Sequence, residues 1–122
     1  MDHLYTFVEL TGREQPREVL ERTFGIDPGN EGSIIAVCCE ALGEPMPKKM
    51  ADSYFELWRI DNRARRARIV GLPLVFASKI PDGRLRGAVL PGDELLVRVT
   101  APSDPCEVML AVVVFLDKRA IR

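Results

Sequence analysis

Between Arg59 and Arg68 the chain carries five guanidinium groups, on Arg59, Arg63, Arg65, Arg66 and Arg68. Arginine offers a planar fork of donors that forms charge-assisted, often bidentate bonds with carboxylates. Arg63, Arg65, Arg66 and Arg68 are therefore a candidate docking surface for an acidic protein; the plainer reading is a solvated stretch. No RNP or KH motif and no pattern of stacking aromatics accompanies them, so nothing marks them for RNA. Just upstream, Glu56 stands in "YFELW" beside Phe55, Leu57 and Trp58. Apolar neighbours that desolvate a carboxylate tune it for proton transfer. The plainer reading is a surface glutamate on the polar side of an amphipathic helix. Phe55 and Trp58 themselves offer an apolar lining, or ordinary core. Cys38 and Cys39 are adjacent, and neighbours in a strand point to opposite faces, which makes them poor disulfide partners. The only histidine, His3, lies near the N-terminus, so no base is at hand to activate a thiol. No CxxC or His/Cys spacing suggests zinc, and neither a metal nor a cofactor is expected.

The elements that must position these residues follow from periodicity and turn chemistry. "MDHLYTFVEL" reads as a short strand or a loosely held arm. "REQPREVLERTFGIDPGNEGS" fits a helix opened by Pro16, or a strand bearing Leu20, Phe24 and Ile26 on one face before a turn. "SIIAVCCEAL" is apolar and partly β-branched, and reads as a strand. "EPMPKK" breaks the chain. In "MADSYFELWRI" the apolar residues Met50, Tyr54, Leu57 and Trp58 suit a helix with one buried stripe, with Asp52 and Ser53 able to cap its start. "GLPLVFASKI" is expected as a strand, "PDGR" as a turn and "RLRGAVL" as an extended piece. "DELLVRVTA" alternates, with Leu95, Val97 and Val99 on one face. "PSDP" turns the chain again, and "EVMLAVVVFLD" is a strongly β-prone closing strand. One or two helices and roughly five or six strands joined by short turns predict an α+β layer architecture.

A length of 122 residues suits one domain, and a hydrophobic share of 47% is enough for a core. Seventeen basic side chains against 18 acidic ones leave no global basic field to draw in nucleic acid. The most apolar stretch, Met109 to Leu116, is too short to span a bilayer. The N-terminus lacks the layout of a signal peptide. Three cysteines with no obvious pairing fit reduced, partly buried thiols, and a cytoplasmic protein is expected.

Several segments together resemble the β-hydroxyacyl-acyl-carrier-protein dehydratases of the hotdog fold. Arg84, Leu85 and Arg86, then Val89, Pro91, Gly92 and Asp93, follow the spacing of that family's R-F-R-R-P-V-x-P-G-D strand and turn. "LVFASKI" is similar to the strand before it. "LERTFGIDPG" matches the family's D-R-V-x-x-x-D-P-G at Glu21, Arg22, Asp27, Pro28 and Gly29, and "SIIAVCCEALGEP" ends on the expected Glu44 and Pro45. "VFLDKRAI" is similar to the closing Y-V-D-G-x-x-V.

The resemblance implies one hotdog-like domain over residues 1–122, a long antiparallel sheet wrapped around a central helix, and a homodimer or a heterodimer with a related subunit. It further implies a partner in an acyl carrier protein or acyl thioester, docked by the arginines, and a role in fatty-acid-like or polyketide-like acyl chain processing. Glu56 then matches the helix acid that assists the departing hydroxyl, with Asp52 as competitor, and Phe55 and Trp58 line the acyl pocket. The family's H-F-P-G histidine motif is missing, since "GEPMPKKMADSYFELW" holds no histidine. The reading is thus a subunit inactive alone that completes a site with a histidine-bearing partner. Two other readings stand beside it: a non-catalytic acyl-thioester-binding or regulatory protein, and a structural β-sandwich acting as an assembly component. Absence of a central helix is the feature that favours the last.

Overall fold

The computed structural model describes residues 2–25, 30–81, 85, 88–90 and 92–120. These form nine strands: β1 (Asp2–Thr11), β2 (Val19–Gly25), β3 (Asn30–Ala41), β4 (Tyr54–Ile60), β5 (Arg66–Pro73), β6 (Ile80–Pro81), β7 (Ala88–Val89), β8 (Glu94–Thr100) and β9 (Glu107–Ala120). All pairings are antiparallel. The first sheet runs β1-β9-β3-β6, with β7 also paired to β3, and the second runs β2-β8-β4-β5.

The two sheets enclose one core. β9 contributes Val108, Leu110, Val112, Val114 and Leu116, each 2% exposed or less, and β8 contributes Leu95, Val97 and Val99 at 0%. Alternation at period two puts these residues inside and their neighbours outside. Two β-bulges adjust the count. Pairing of β3 with β9 shifts between Ile34 and Ala36, so Ile34 and Val37 both face inward although three positions separate them. The pairing of β4 with β5 shifts between Leu57 and Trp58, where Leu57 pairs with Val70 and Trp58 with Arg68. The extra residue, Ile69, is buried together with Val70.

The α+β hotdog expectation is overturned. Among the described residues the only helical turns are short 3-10 segments, at Lys48–Asp52 and Leu74–Phe76. The segment expected to form the central helix splits in two. Met50 anchors the first 3-10 turn in the core, and "YFELWRI" then alternates as β4, with Phe55 and Leu57 fully buried and Tyr54, Glu56 and Trp58 half-buried on the other side. Aromatic and branched residues favour the pleated surface, and β8 and β5 on either side supply hydrogen bonds that a local period cannot reveal. The strand expected over "GLPLVFASKI" also divides, into the end of β5, the second 3-10 turn and the start of β6.

Gly92 and Asp93 stand between the two sheets along the chain. β7 belongs to the first and β8 to the second. Asp93 N–H donates to the Leu90 carbonyl at 3.1 Å, and Gly92 has φ +80°, the conformation that the third position of a type II turn demands. Asp27, Pro28, Gly29, Arg84, Arg86 and Pro91 of the quoted resemblance lie outside the described residues, as does most of the "PDGR" turn.

Candidate functional site

The outer face of the second sheet gathers several of the singled-out residues. Glu56 on β4 lies opposite Gly71 of β5 and Arg98 of β8, and Arg98 lies opposite Glu21 of β2. Trp58 Nε1 donates to Glu56 Oε2 at 3.2 Å, and Arg68 Nη1 sits 3.7 Å from the same oxygen. Glu21 Oε2 is approached by Arg98 Nη2 at 3.5 Å and by Arg66 Nη1 at 3.7 Å. The Arg98 guanidinium carbon lies 5.4 Å from the Trp58 ring centroid, a cation–π arrangement. Gly71 makes room for this ladder: a Cβ there would come within 2.9 Å of Arg68 Nη1 and 3.2 Å of the Tyr54 hydroxyl.

Chemically the ladder is mostly self-paired, three guanidiniums against two carboxylates, with the buried Arg98 Nε left without a hydrogen-bond partner among the described residues. Glu56, with a side chain 14% exposed, is occupied by an indole donor and a guanidinium. His3 stands on β1, in the other sheet. Phe55 and Trp58 do not share a pocket, since residues 55 and 58 point to opposite sides of β4 and Phe55 belongs to the core. Of the four docking arginines, Arg66 and Arg68 join the ladder, while Arg63 and Arg65 sit at the β4–β5 hairpin tip. There Asp61 accepts from Arg63 N–H and Arg65 N–H at 2.9 Å and from Arg65 Nε at 2.8 Å. Those bonds, the Arg65 N–H first, hold the Asp61 carboxyl below its ordinary value despite some desolvation. Asp52 is elsewhere again: it accepts from the Ser103 hydroxyl and from Ser103 N–H at 3.2 Å, while its carbonyl accepts from Arg17. The Ser103 hydroxyl is the main reason its carboxyl is depressed. Glu56 and Asp52 are thus in different places with different partners, and each is already bonded within the chain.

A cleft of about 250 Å³ opens beside β3, lined among others by Cys39, Glu40, Glu44, Met46, Leu74 and Val75. Burial pushes the Cys39 thiol up to about 12, with Glu40 adding to the effect, so it stays protonated and inert at neutral pH. Among the described residues no group of three or more His, Cys, Asp or Glu is placed to hold a metal ion. No described helix is long and apolar enough to cross a membrane.

The outer face of the first sheet is of another kind. The register sets Tyr5, Val113 and Cys38 in one row, with Phe7, Ala111 and Glu40 in the next. His3, Phe115 and Ala36 extend the face at one end, and Glu9 with Met109 at the other. Tyr5 is 63% exposed and Phe7 46%. Their rings form a ladder, with centroids 6.2 Å apart for His3–Tyr5 and for His3–Phe115, and 6.0 Å for Tyr5–Phe7. Sequence reasoning missed this face. Its signal is "VMLAVVVFL", which is apolar at every position of β9 from Val108 to Leu116. An unbroken apolar strand is the mark of one covered on both faces, and here the described chain covers one face fully and leaves Met109, Ala111, Val113 and Phe115 on the other half-buried.

No protein-family model matches the chain, and no curated protein matches it.

Proposed function

We propose that this protein is a structural β-sandwich subunit that works by assembly, with another protein surface covering the outer face of its first sheet. The observation that carries this reading is β9, a central strand apolar on both sides, whose outward residues Met109, Ala111, Val113 and Phe115 lie beside the exposed Tyr5 and Phe7. The largest contiguous apolar patch of a protein surface, commonly a few hundred Å², is often functional. The second sheet supports the same reading from the other side, because Arg66, Arg68 and Arg98 on its outer face are engaged with Glu21 and Glu56 of the same face. The acyl-processing role relied on a helix enclosed by a sheet, and without that scaffold it is not carried forward. Three free thiols, one of them buried, favour a reducing compartment such as the cytoplasm.

The test is the double variant Tyr5→Lys/Phe7→Lys, held near 1 μM. An environment-sensitive apolar dye should bind the wild type and lose most of that signal on the variant, with the thermal midpoint unchanged within about 2 °C. A fall of more than about 5 °C would mean that the fold itself uses these rings, and the assembly reading would fail.

A further inference from the structure

The first sheet's outer face carries a pattern that selects its own partner. Resting on the assembly reading above, we infer that the surface covering it is a second copy of this chain, stacked face to face about a two-fold axis that lies in the sheet plane and crosses the strands.

A two-fold contact must be self-complementary, since each residue meets the partner position that meets it in return. Two in-plane axes are available. An axis running along the strands keeps the rows in place and exchanges β1 with β3. Ala111 then faces its own copy and leaves a gap, Phe115 faces Phe115, and the Glu40 carboxylate is laid on the Phe7 ring. An axis across the strands keeps each strand over its counterpart and reverses the rows. Val113 then faces Ala111 of the second copy and Phe115 faces Met109, so along β9 large side chains meet smaller or flexible ones, while the Tyr5 ring meets the Phe7 ring as an aromatic pair. The polar ends also fit. The Glu9 carboxylate comes over the His3 imidazole of the second copy, twice by symmetry, and Glu40 comes over the Cys38 thiol. Two sheets of identical twist stack in this way in any aligned sandwich, within about 30° of each other.

The size of the patch sets the strength. Six residue steps from His3 to Glu9 at about 3.4 Å each, over three strands about 4.8 Å apart, give a flat face of about 300 Å². That is less than half of the roughly 800 Å² each partner buries in a standard complex, so the dimer belongs to the weak, transient class.

Sedimentation equilibrium from about 5 to 500 μM tests both the partner and the orientation. The wild type should show a monomer–dimer equilibrium, and Val113→Lys should weaken it about 100-fold or more by burying an unpaired charge. His3→Glu sets two carboxylates against each other, and Glu9→Lys sets a lysine against the imidazole; each should weaken the dimer about tenfold. The charge-swapped double variant His3→Glu/Glu9→Lys should recover wild-type affinity within about threefold. A dimer lost in Val113→Lys but not rescued by the swap overturns the orientation. A wild type that stays monomeric throughout overturns the second copy as occupant. Neither result touches the assembly reading, which fails only if the outward rings prove necessary for folding.

Discussion

Cys38 and Cys39 are neighbours in sequence and face opposite sides of β3. Cys39 is fully buried and Cys38 is partly open on the outer face of the first sheet. Burial raises both thiols, Cys39 to about 12. Because the folded value of Cys39 lies above the ordinary 9.0, its contribution to stability is complete below pH 9.0 and is lost as pH rises from there toward 12. At pH 8 a chromogenic disulfide reagent should label Cys38 in the native protein and reach Cys39 only at the rate of unfolding. Equal labelling rates for the two would contradict the placement. Asp93 is the other residue whose environment decides its role. It is 3% exposed, accepts from Leu90 N–H at 2.8 Å and faces Arg59 Nε at 3.5 Å. Asp93→Ala should cost about 1–3 kcal/mol in urea unfolding, and Asp93→Asn less, because an amide oxygen still accepts from Leu90. A change in Asp93→Ala below about 0.5 kcal/mol would mean the corner is held by other means.

At the scale of elements, the loops between strands are fastened by carboxylates. Glu14 accepts from Thr11 N–H at 3.0 Å, the Thr11 hydroxyl at 2.8 Å and Gly12 N–H at 3.1 Å, bonds that outweigh its desolvation and lower its carboxyl. Asp61 closes the β4–β5 hairpin, and Asp52 ties the first 3-10 turn to the "PSDP" loop. All three are depressed in the fold. Their stabilisation is therefore present above the ordinary values of 3.8 and 4.5, and is lost as pH falls through and below them. Unfolding midpoints should be flat near neutrality and fall below about pH 4, with a shallower fall in Asp52→Asn/Asp61→Asn. An acid profile unaltered by that double variant would remove these loops from the account. The strands were unevenly legible. β8 and β9 announced themselves, because alternation and branched residues need no knowledge of partners. β4 did not, because Met50, Tyr54, Leu57 and Trp58 satisfy a helical spacing, whereas the alternation of Phe55 and Leu57 gains meaning only once β8 and β5 are beside it. The hotdog fold that the resemblance implied is overturned for a related reason. Pro-Gly-Asp is turn chemistry that any chain passing from strand to strand uses, and here Gly92 and Asp93 stand between a strand of one sheet and a strand of the other.

For the whole molecule, the two sheets present opposite outer characters. The second displays arginines and glutamates paired across strands, and the first displays a face of rings and aliphatic groups. The candidate site proposed from sequence was only partly recovered. Glu56, Trp58, Arg66 and Arg68 do come together, but as members of a cross-strand ladder of charges bonded to one another, while Phe55 lies inside and Asp52, Arg63 and Arg65 lie elsewhere. The apolar face was readable in β9, yet a run with no alternation looks like buried core until a topology shows which side is covered.

The central claim concerns which side of β9 the fold needs, and two adjacent valines test it directly. Val112 is fully buried in the core, whereas Val113 points to the outer face. Measured by thermal unfolding at low protein concentration, Val112→Lys should lose about 4 kcal/mol or more, or fail to fold. Val113→Lys should keep the wild-type midpoint within about 2 °C while abolishing self-association. Comparable destabilisation by both lysines would show that the outer face is part of the protein's own core and would contradict the account.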